Sequence, residues 1–220
     1  MVSPDIRGHG ESGPRGDIGY YGQLEDDMDD LAAMLAKRFP QERKILIGHS
    51  SGGGFALRIA SARASDFDGY IALSPFIAAD APTTRPHSGG WAGVSVPRLI
   101  GLIVLNRVGV HAFNGLPTLA FAVPPGGEKH LTSTYSFNLM GNFGLPPQGW
   151  KPALRAIQRP TVVLVAGDDQ MMQAAQFAPL FSTLNPGVVV RVVPGVGHMG
   201  MVLAPSALGV LVETSRRLLS

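Results

Sequence analysis

Residues 44–60 read KILIGHSSGGGFALRIA, and this stretch decides the fold. The apolar run at its start predicts a short buried strand, and the run after the glycines predicts a helix. Between them lies Gly48-His49-Ser50-Ser51-Gly52, a G-x-S-x-G pattern. Glycine neighbours allow a strained turn in which a strand and a helix pass close together. The stretch therefore predicts Ser50 at the tip of a tight turn between a strand and a helix.

Two later segments carry an acid and a histidine in matching positions. The β-prone run 161–166 is followed by Asp168 and Asp169, and the β-prone run 188–193 is followed by His198 on a glycine-rich loop. Sites in open α/β sheets form at the carboxyl ends of the strands, where all of these residues are predicted to lie. Residue type, chain order and position together predict a Ser–Asp–His triad.

Elementary chemistry assigns a role to each member of such a triad. Ser50 is the candidate nucleophile, because a serine hydroxyl needs an adjacent base at neutral pH. His198 is the candidate base, and an aspartate would fix its tautomer and stabilise its protonated form. The backbone N–H of Ser51 is the candidate oxyanion donor, because this residue directly follows the nucleophile.

The sequence resembles the α/β-hydrolase superfamily from about residue 2 to its end. Asp5-Ile6-Arg7-Gly8-His9-Gly10-Glu11-Ser12 is similar to the D-x-R-G-x-G-x-S segment after the fourth strand of many members, and residues 167–181 also resemble the superfamily. Within it, the sequence is most similar to the lysophospholipase and monoacylglycerol-lipase-like serine hydrolases. The resemblance implies an α/β-hydrolase fold, with a mostly parallel sheet, flanking helices and a lid insertion. Counted back from Phe177-Ala178-Pro179, it favours Asp169 as the catalytic acid, with Asp168 as the alternative.

One part of the family pattern is missing. In the superfamily, three strands precede the D-x-R-G-x-G segment, and the loop after the third carries a His-Gly element that supplies the other oxyanion N–H. Asp5 stands at the fifth position of this sequence, so we expect an N-terminally truncated hydrolase. The alternative is a natural short form, in which a strand at residues 2–3 pairs directly with the strand at residues 44–47.

The sequence divides into two core blocks around an insertion. Residues 1–75 hold the first part of the core with the serine turn, and residues 156–220 hold the second part with the acid and the histidine. Residues 76–155 leave the strand–helix rhythm, and the resemblance identifies them as the lid. An apolar helix predicted at residues 98–110 suggests a wall for a hydrophobic acyl group, or a helix that simply packs against the core. Clusters of proline and glycine break the rest of the insertion at residues 124–127 and 144–147.

Other clusters of ionisable residues have simpler interpretations than metal binding. Acidic residues crowd the first half of a helix predicted at residues 24–38, where the helix dipole favours a solvated negative face. We interpret His9 and His49 as structural. The remaining histidines lack metal-ligand spacing, and they are His87, His111 and His130. We predict neither a metal nor a cofactor.

Composition narrows the class of protein further. A chain of 220 residues fits one domain with a sizeable core. The net charge of +2 is too small to argue for a nucleic-acid partner, and the absence of cysteine excludes disulfides. No secretory signal and no apolar run of about 18 residues occurs, which favours a cytoplasmic location.

These observations predict a serine hydrolase that cleaves carboxylic esters, lipid-like esters among them, through an acyl-enzyme. The expected partner is a small-molecule ester with a hydrophobic acyl group. Two alternatives stay open: an inactive or degenerate fragment of the fold, and an acyltransferase or peptidase that uses the same triad. The sequence does not fix the acyl group, the alcohol group or the oligomeric state.

Overall fold

The computed structural model describes most of the chain. The described residues are 1–63, 66–123, 126–127, 131–145 and 149–220, with only the backbone described at residues 87–88. The predicted breaks at residues 124–125 and 146–147, and His130, lie outside the described residues.

Strands and helices alternate along much of the described chain. The strands are β1 (Ile45–His49), β2 (Gly69–Leu73), β3 (Ala92–Val94), β4 (Pro117–Phe121), β5 (Thr134–Ser136), β6 (Thr161–Ala166) and β7 (Val189–Val193). The helices are α1 (Gln23–Arg38), α2 (Ser51–Ala62), α3 (Val96–Arg107), α4 (Phe137–Phe143), α5 (Trp150–Ala156), α6 (Ala174–Leu184), α7 (Gly200–Leu203) and α8 (Pro205–Leu219). A 3₁₀ turn covers Pro86–Gly90.

One parallel sheet contains the three strands that precede Ser50, Asp169 and His198. Its strand order is β1-β2-β6-β7, and each neighbouring pair runs parallel. Strands β2 and β6 are buried along their whole length, as expected for parallel strands that are covered on both faces. Helix α2 packs against β1 and β2, α6 against β6 and β7, and α8 against β1. The predicted mostly parallel sheet with flanking helices is confirmed.

Strand β1 forms one edge of this sheet. Within the described residues its backbone pairs with β2 alone, in a register that runs from Ile45 opposite Gly69 to His49 opposite Leu73. The strand predicted at residues 2–3 is wrong, because this segment has no sheet partner among the described residues and Val2 is exposed. Two residues offer too few backbone hydrogen bonds to hold a strand in place. Direct pairing of that segment with β1 therefore does not occur.

Contacts divide the chain into two compact units. The first comprises Met1–Asp30 and Gly90–Asn142, and the second comprises Leu31–Gly89 and Phe143–Ser220. The first unit contains a small antiparallel sheet of order β3-β4-β5 together with α3. The second contains the whole parallel sheet. The domain boundaries expected after residues 75 and 155 stay predictions.

Inside the first unit, part of the predicted acidic face is paired. The Arg7 guanidinium donates to both carboxylate oxygens of Asp27, at 2.7 and 2.5 Å. The Tyr20 hydroxyl donates to Asp26 at 2.6 Å. These contacts agree with a face that is solvated and locally bonded, as the helix-dipole argument predicts.

The apolar helix of the insertion is shorter than predicted and exposes part of its apolar surface. It spans α3, and Leu102 is buried on it, whereas Ile100 and Ile103 are exposed. Its basic Arg107 stands in the last turn, where a cation complements the helix dipole.

Helix α2 approaches the loop after β2 so closely that only glycine fits at one position. A Cβ atom at Gly54 would collide with the carbonyl oxygen of Phe76. At Gly52, two residues earlier on the same helix, a Cβ atom would meet no atom within 4 Å. The two glycines therefore form a matched pair for measuring how much this close approach stabilises the fold.

We expect Gly54→Ala to lower the free energy of unfolding by about 1–3 kcal/mol or more, because backbone must move to admit the methyl group. Gly52→Ala is expected to leave stability unchanged or to raise it by up to about 1 kcal/mol, because alanine favours a helix over glycine. Urea unfolding of the two variants measures the difference. Equal stability of both variants would show that the Gly54 contact yields without cost.

Candidate active site

Ser50 lies on a strained turn at the carboxyl end of β1. Its φ of 54° and ψ of −118° are values that residues with a side chain rarely adopt. The N–H of Ser50 donates to the carbonyl oxygen of Leu73 at 2.9 Å, and the N–H of Phe76 donates to the carbonyl oxygen of Ser50 at 3.0 Å. The end of the next strand and the loop that follows it therefore hold the serine on this turn.

Asp169 and His198 form a buried pair. The Nδ1 atom of His198 lies 3.0 and 2.9 Å from the two carboxylate oxygens of Asp169, and each residue is at most 2 % exposed. Asp169 follows β6, and His198 follows β7, so the pair forms where two neighbouring parallel strands end. The structure thus brings together the acid and the base that the sequence singled out.

The neighbouring carboxylate points elsewhere. Asp168 is exposed, and its backbone N–H donates to the carbonyl oxygen of Val196 at 3.0 Å. Of the two acids after β6, the structure places Asp169 against His198, as the resemblance favoured.

The surroundings of Asp169 stabilise its charged form. Burial works to raise the pKa of this carboxyl group, but the hydrogen bond and the charge of His198 outweigh it, with help from Ser74 and the N–H of Met172, and the pKa falls below its ordinary value. Its Oδ1 atom also accepts hydrogen bonds from the N–H groups of Met171 and Met172, at 2.9 and 2.8 Å. Because an ionised carboxylate can only accept, the proton shared with His198 sits on Nδ1 of the imidazole.

Two residues that stabilise the loop around Asp169 were not singled out by the sequence. Arg85 donates from Nε to the carbonyl oxygens of Asp169 and Met172, at 3.1 and 3.0 Å. Ser74 is fully buried with a positive φ of 40°, and its Oγ accepts the N–H of Ala166 at 3.1 Å. Neither contact follows from local sequence pattern, because both link segments that are about 90 residues apart.

Hydrogen bonds to the main-chain N–H and C=O groups of His198 hold its loop in place. The N–H of His198 donates to Oε1 of Gln170 at 3.0 Å. Its carbonyl oxygen lies 3.0 Å from Nε2 of His49, and the two imidazole rings are 4.7 Å apart between centroids. Burial, followed by the charge of His198, lowers the pKa of His49 to about 4. His49 is therefore neutral at physiological pH.

The depressed pKa of His49 makes stability depend on pH. Between the ordinary pKa of 6.5 and the folded value of about 4, the unfolded chain binds more protons at this residue than the folded chain does. The free energy of unfolding therefore falls as the pH drops through this window. We expect His49→Gln, which removes this titration, to lose less stability than the wild type between pH 7 and about pH 4. Urea unfolding of both proteins across this range measures the slopes, and parallel curves would contradict the prediction.

The arrangement can support nucleophilic chemistry. With the proton of His198 on Nδ1, its Nε2 atom carries a lone pair that can accept the proton of a hydroxyl group. Ser51 begins α2, so its N–H belongs to the first helical turn, which lacks intrahelical acceptors and favours negative charge.

Of the remaining histidines, His9 and His111 lie in the first unit. His9 Nε2 lies 2.8 Å from the Tyr135 hydroxyl, and Nδ1 of His111 lies 2.7 Å from Oδ1 of Asn106. Among the described residues, no three histidine or carboxylate side chains are placed to share a metal ion. No helix in the described part of the chain combines the length and hydropathy that a transmembrane span requires.

Comparison with a family model decides the membership of this chain. The model, described as "Serine aminopeptidase, S33", matches residues 1–113. The chain belongs to this family of α/β hydrolases. The α/β-hydrolase fold expected from the sequence is therefore confirmed.

Individual relatives of this S33-family chain carry several names. A non-heme haloperoxidase of Rhodococcus erythropolis is 24% identical over 212 residues, which cover 90% of this chain and 75% of the relative. A monoglyceride lipase of Rattus norvegicus is 29% identical over 107 residues, which cover 48% of this chain and 34% of the lipase. The crystal structure of a Paleococcus ferrophilus monoacylglycerol lipase superimposes with a TM-score of 0.65 and 19% identity, over 97% of this chain and 80% of the lipase.

Proposed function

We propose that this chain is a serine hydrolase that cleaves carboxylic esters with hydrophobic acyl groups. The buried Asp169–His198 pair carries the proposal, because it leaves Nε2 of the imidazole as a base near the carboxyl end of β1, where Ser50 sits on its strained turn. A small-molecule ester is the proposed partner. The cytoplasmic location expected from the sequence stays a prediction.

The proposed reaction has two halves. The hydroxyl oxygen of Ser50 attacks the ester carbonyl carbon while Nε2 of His198 takes the hydroxyl proton. Asp169 stabilises the imidazolium that forms on His198. The N–H of Ser51 donates to the oxyanion, a contact that is typically worth about 10²–10³ in rate. The imidazolium then gives its proton to the leaving alcohol, and water repeats the sequence to release the acid from the acyl-enzyme.

The names of two of the three relatives support the ester class and a hydrophobic acyl group. The Rattus norvegicus protein is a monoglyceride lipase, and the Paleococcus ferrophilus structure is a monoacylglycerol lipase. The name of the matched family favours a second candidate, a peptidase on the same residues. Both reactions pass through an acyl-enzyme on a serine, so the substrate and not the mechanism separates them.

A fluorophosphonate probe tests the shared part of the proposal, because it labels only a serine that a base has activated. Covalent labelling of the wild-type chain, with turnover of p-nitrophenyl esters of increasing acyl length, would support the ester hydrolase. Covalent labelling, together with turnover of aminoacyl p-nitroanilides but not of the esters, would assign a peptidase. Absence of labelling in folded protein would show that the chain is an inactive form of the fold.

A further inference from the structure

We propose that His49 is a positioning residue that sets the distance between the nucleophile and the base. It occupies the first variable position of the G-x-S-x-G pattern and is followed directly by Ser50. Its side chain contacts the loop of His198. This inference rests on the proposed function, because it assigns His49 a role in the activation of Ser50.

The hydrogen bond defines the protonation of His49. Nε2 of His49 lies 3.0 Å from the carbonyl oxygen of His198. A carbonyl oxygen can only accept, so Nε2 carries the proton and donates it. The peptide bond between His49 and Ser50 and the hydrogen bond from the His49 side chain therefore connect the nucleophile to the main chain of the base.

This bond completes the fixation of the base. Asp169 holds the imidazole through Nδ1, and Gln170 holds the N–H of His198. The carbonyl of His198 accepts the N–H of Met201 at 3.3 Å within its own loop, and it also accepts Nε2–H of His49, which lies on β1, the strand that presents the nucleophile. Without His49, the acid loop would still orient the base, but this link between the base and the serine turn would be lost.

The charge state of the His49 ring also affects the base, because the ring lies beside His198. The two imidazole centroids are 4.7 Å apart, with their planes tilted by 43°. The ionisable groups whose charges act on His49 are His198 and Asp169. A second imidazolium beside His198 would oppose the charge that the base acquires when it takes the serine proton. The half-buried, neutral ring avoids this repulsion.

Two substitutions separate the donor from the ring. His49→Gln keeps an N–H donor of comparable reach and removes the ring, whereas His49→Phe keeps a ring and removes the donor. We expect His49→Phe to lower the rate of fluorophosphonate labelling of Ser50, and kcat for a short-chain ester, by about tenfold to a hundredfold, because small displacements of reacting groups are costly. KM is expected to stay near the wild-type value. His49→Gln is expected to recover most of the rate.

Matched controls keep the test independent of folding. His111→Phe makes the same chemical change at an exposed histidine of the other unit and is expected to label like the wild type. Urea unfolding checks that each variant is folded at the assay temperature. If His49→Phe does not fold, His49→Asn, which keeps an N–H on a shorter side chain, replaces it and is expected to show a loss of the same kind.

Three outcomes would overturn the proposal. Labelling of folded His49→Phe at the wild-type rate would show that the hydrogen bond does not position the base. Equal losses in the Phe and Gln variants would show that an N–H donor at this position does not restore the rate, so the hydrogen bond would not be the cause. A rise in KM with unchanged kcat would indicate a substrate contact.

Failure of the proposed function would be visible separately, because the wild type itself would not be labelled. In that case the downfield NMR signal of the proton between His198 Nδ1 and Asp169 gives the readout. A signal that shifts or broadens in His49→Phe, but not in His49→Gln, would still support positioning by His49. An unchanged signal in both would overturn it.

Discussion

Ser50→Ala is expected to lower ester turnover by about a millionfold and to abolish fluorophosphonate labelling, the scale of loss known for triad serines. The Ser50 hydroxyl is the group that attacks the carbonyl carbon in the proposed reaction. Removing one oxygen atom leaves the main-chain bonds of Ser50 to Leu73 and Phe76 intact, so the fold should persist. The measurement compares turnover and labelling of wild-type and variant protein at matched concentration.

Ser61→Ala is the control for this substitution. Ser61 lies on α2, and its hydroxyl donates to the carbonyl of Arg58 at 2.8 Å, away from the turn. It is expected to retain wild-type labelling. Labelling that persists in folded Ser50→Ala would remove Ser50 from the mechanism. His198→Ala should show a loss similar to that of Ser50→Ala, and the double variant should be no worse, because the members of the proposed triad would act as a unit.

Asp169→Asn is expected to lower kcat by about ten-thousandfold with little change in folding. The amide oxygen of asparagine can still accept the N–H groups of Met171 and Met172, so the loop keeps its main hydrogen bonds. The amide nitrogen, however, would donate to Nδ1 of His198 and force the proton onto Nε2. Nε2 would then have no lone pair to accept the serine proton.

Asp168→Asn supplies the matched control, because it makes the same chemical change one residue earlier. Asp168 is exposed, and its main-chain bond to Val196 does not involve the carboxylate. We expect a mild effect on kcat. A severe loss in Asp168→Asn with a mild one in Asp169→Asn would move the acid to Asp168. Activity and urea unfolding of both variants decide between the two.

Local sequence pattern predicted the parts of the fold that depend on neighbouring residues. Apolar runs near residues 44–47, 161–166 and 188–193 form strands of the parallel sheet. Strand β6 is buried along its length, as the apolar pattern predicts, whereas β1 and β7 are partly exposed, so the buried strand predicted at residues 44–47 is wrong in its burial. The strained turn at Ser50 followed from its glycines. The choice of Asp169 over Asp168 came from the resemblance, and the structure places that residue against His198.

The parts that pattern could not predict depend on contacts between distant segments. Strands β3 and β5 are three residues each, too short to show an alternating pattern, so the small antiparallel sheet was not predicted. Association of the first residues of the chain with the insertion segment in one unit is likewise invisible in local sequence. The hydrogen bonds of Arg85 and His49 could not be predicted for the same reason, because each joins segments that are far apart in the sequence.

In the part of the chain that the structure describes, β1 is bonded to a neighbouring strand on one side only, and this has a consequence for local fluctuations. A strand bonded on one side opens at a lower free-energy cost than one bonded on both, so the amide hydrogens of β1 should exchange with solvent faster than those of β2 and β6. Ser50 is attached to the end of this strand. Partial opening of the edge would displace the serine while the interior of the sheet stays intact. Heating should therefore disorder the serine turn before the core melts, and inactivation should precede unfolding.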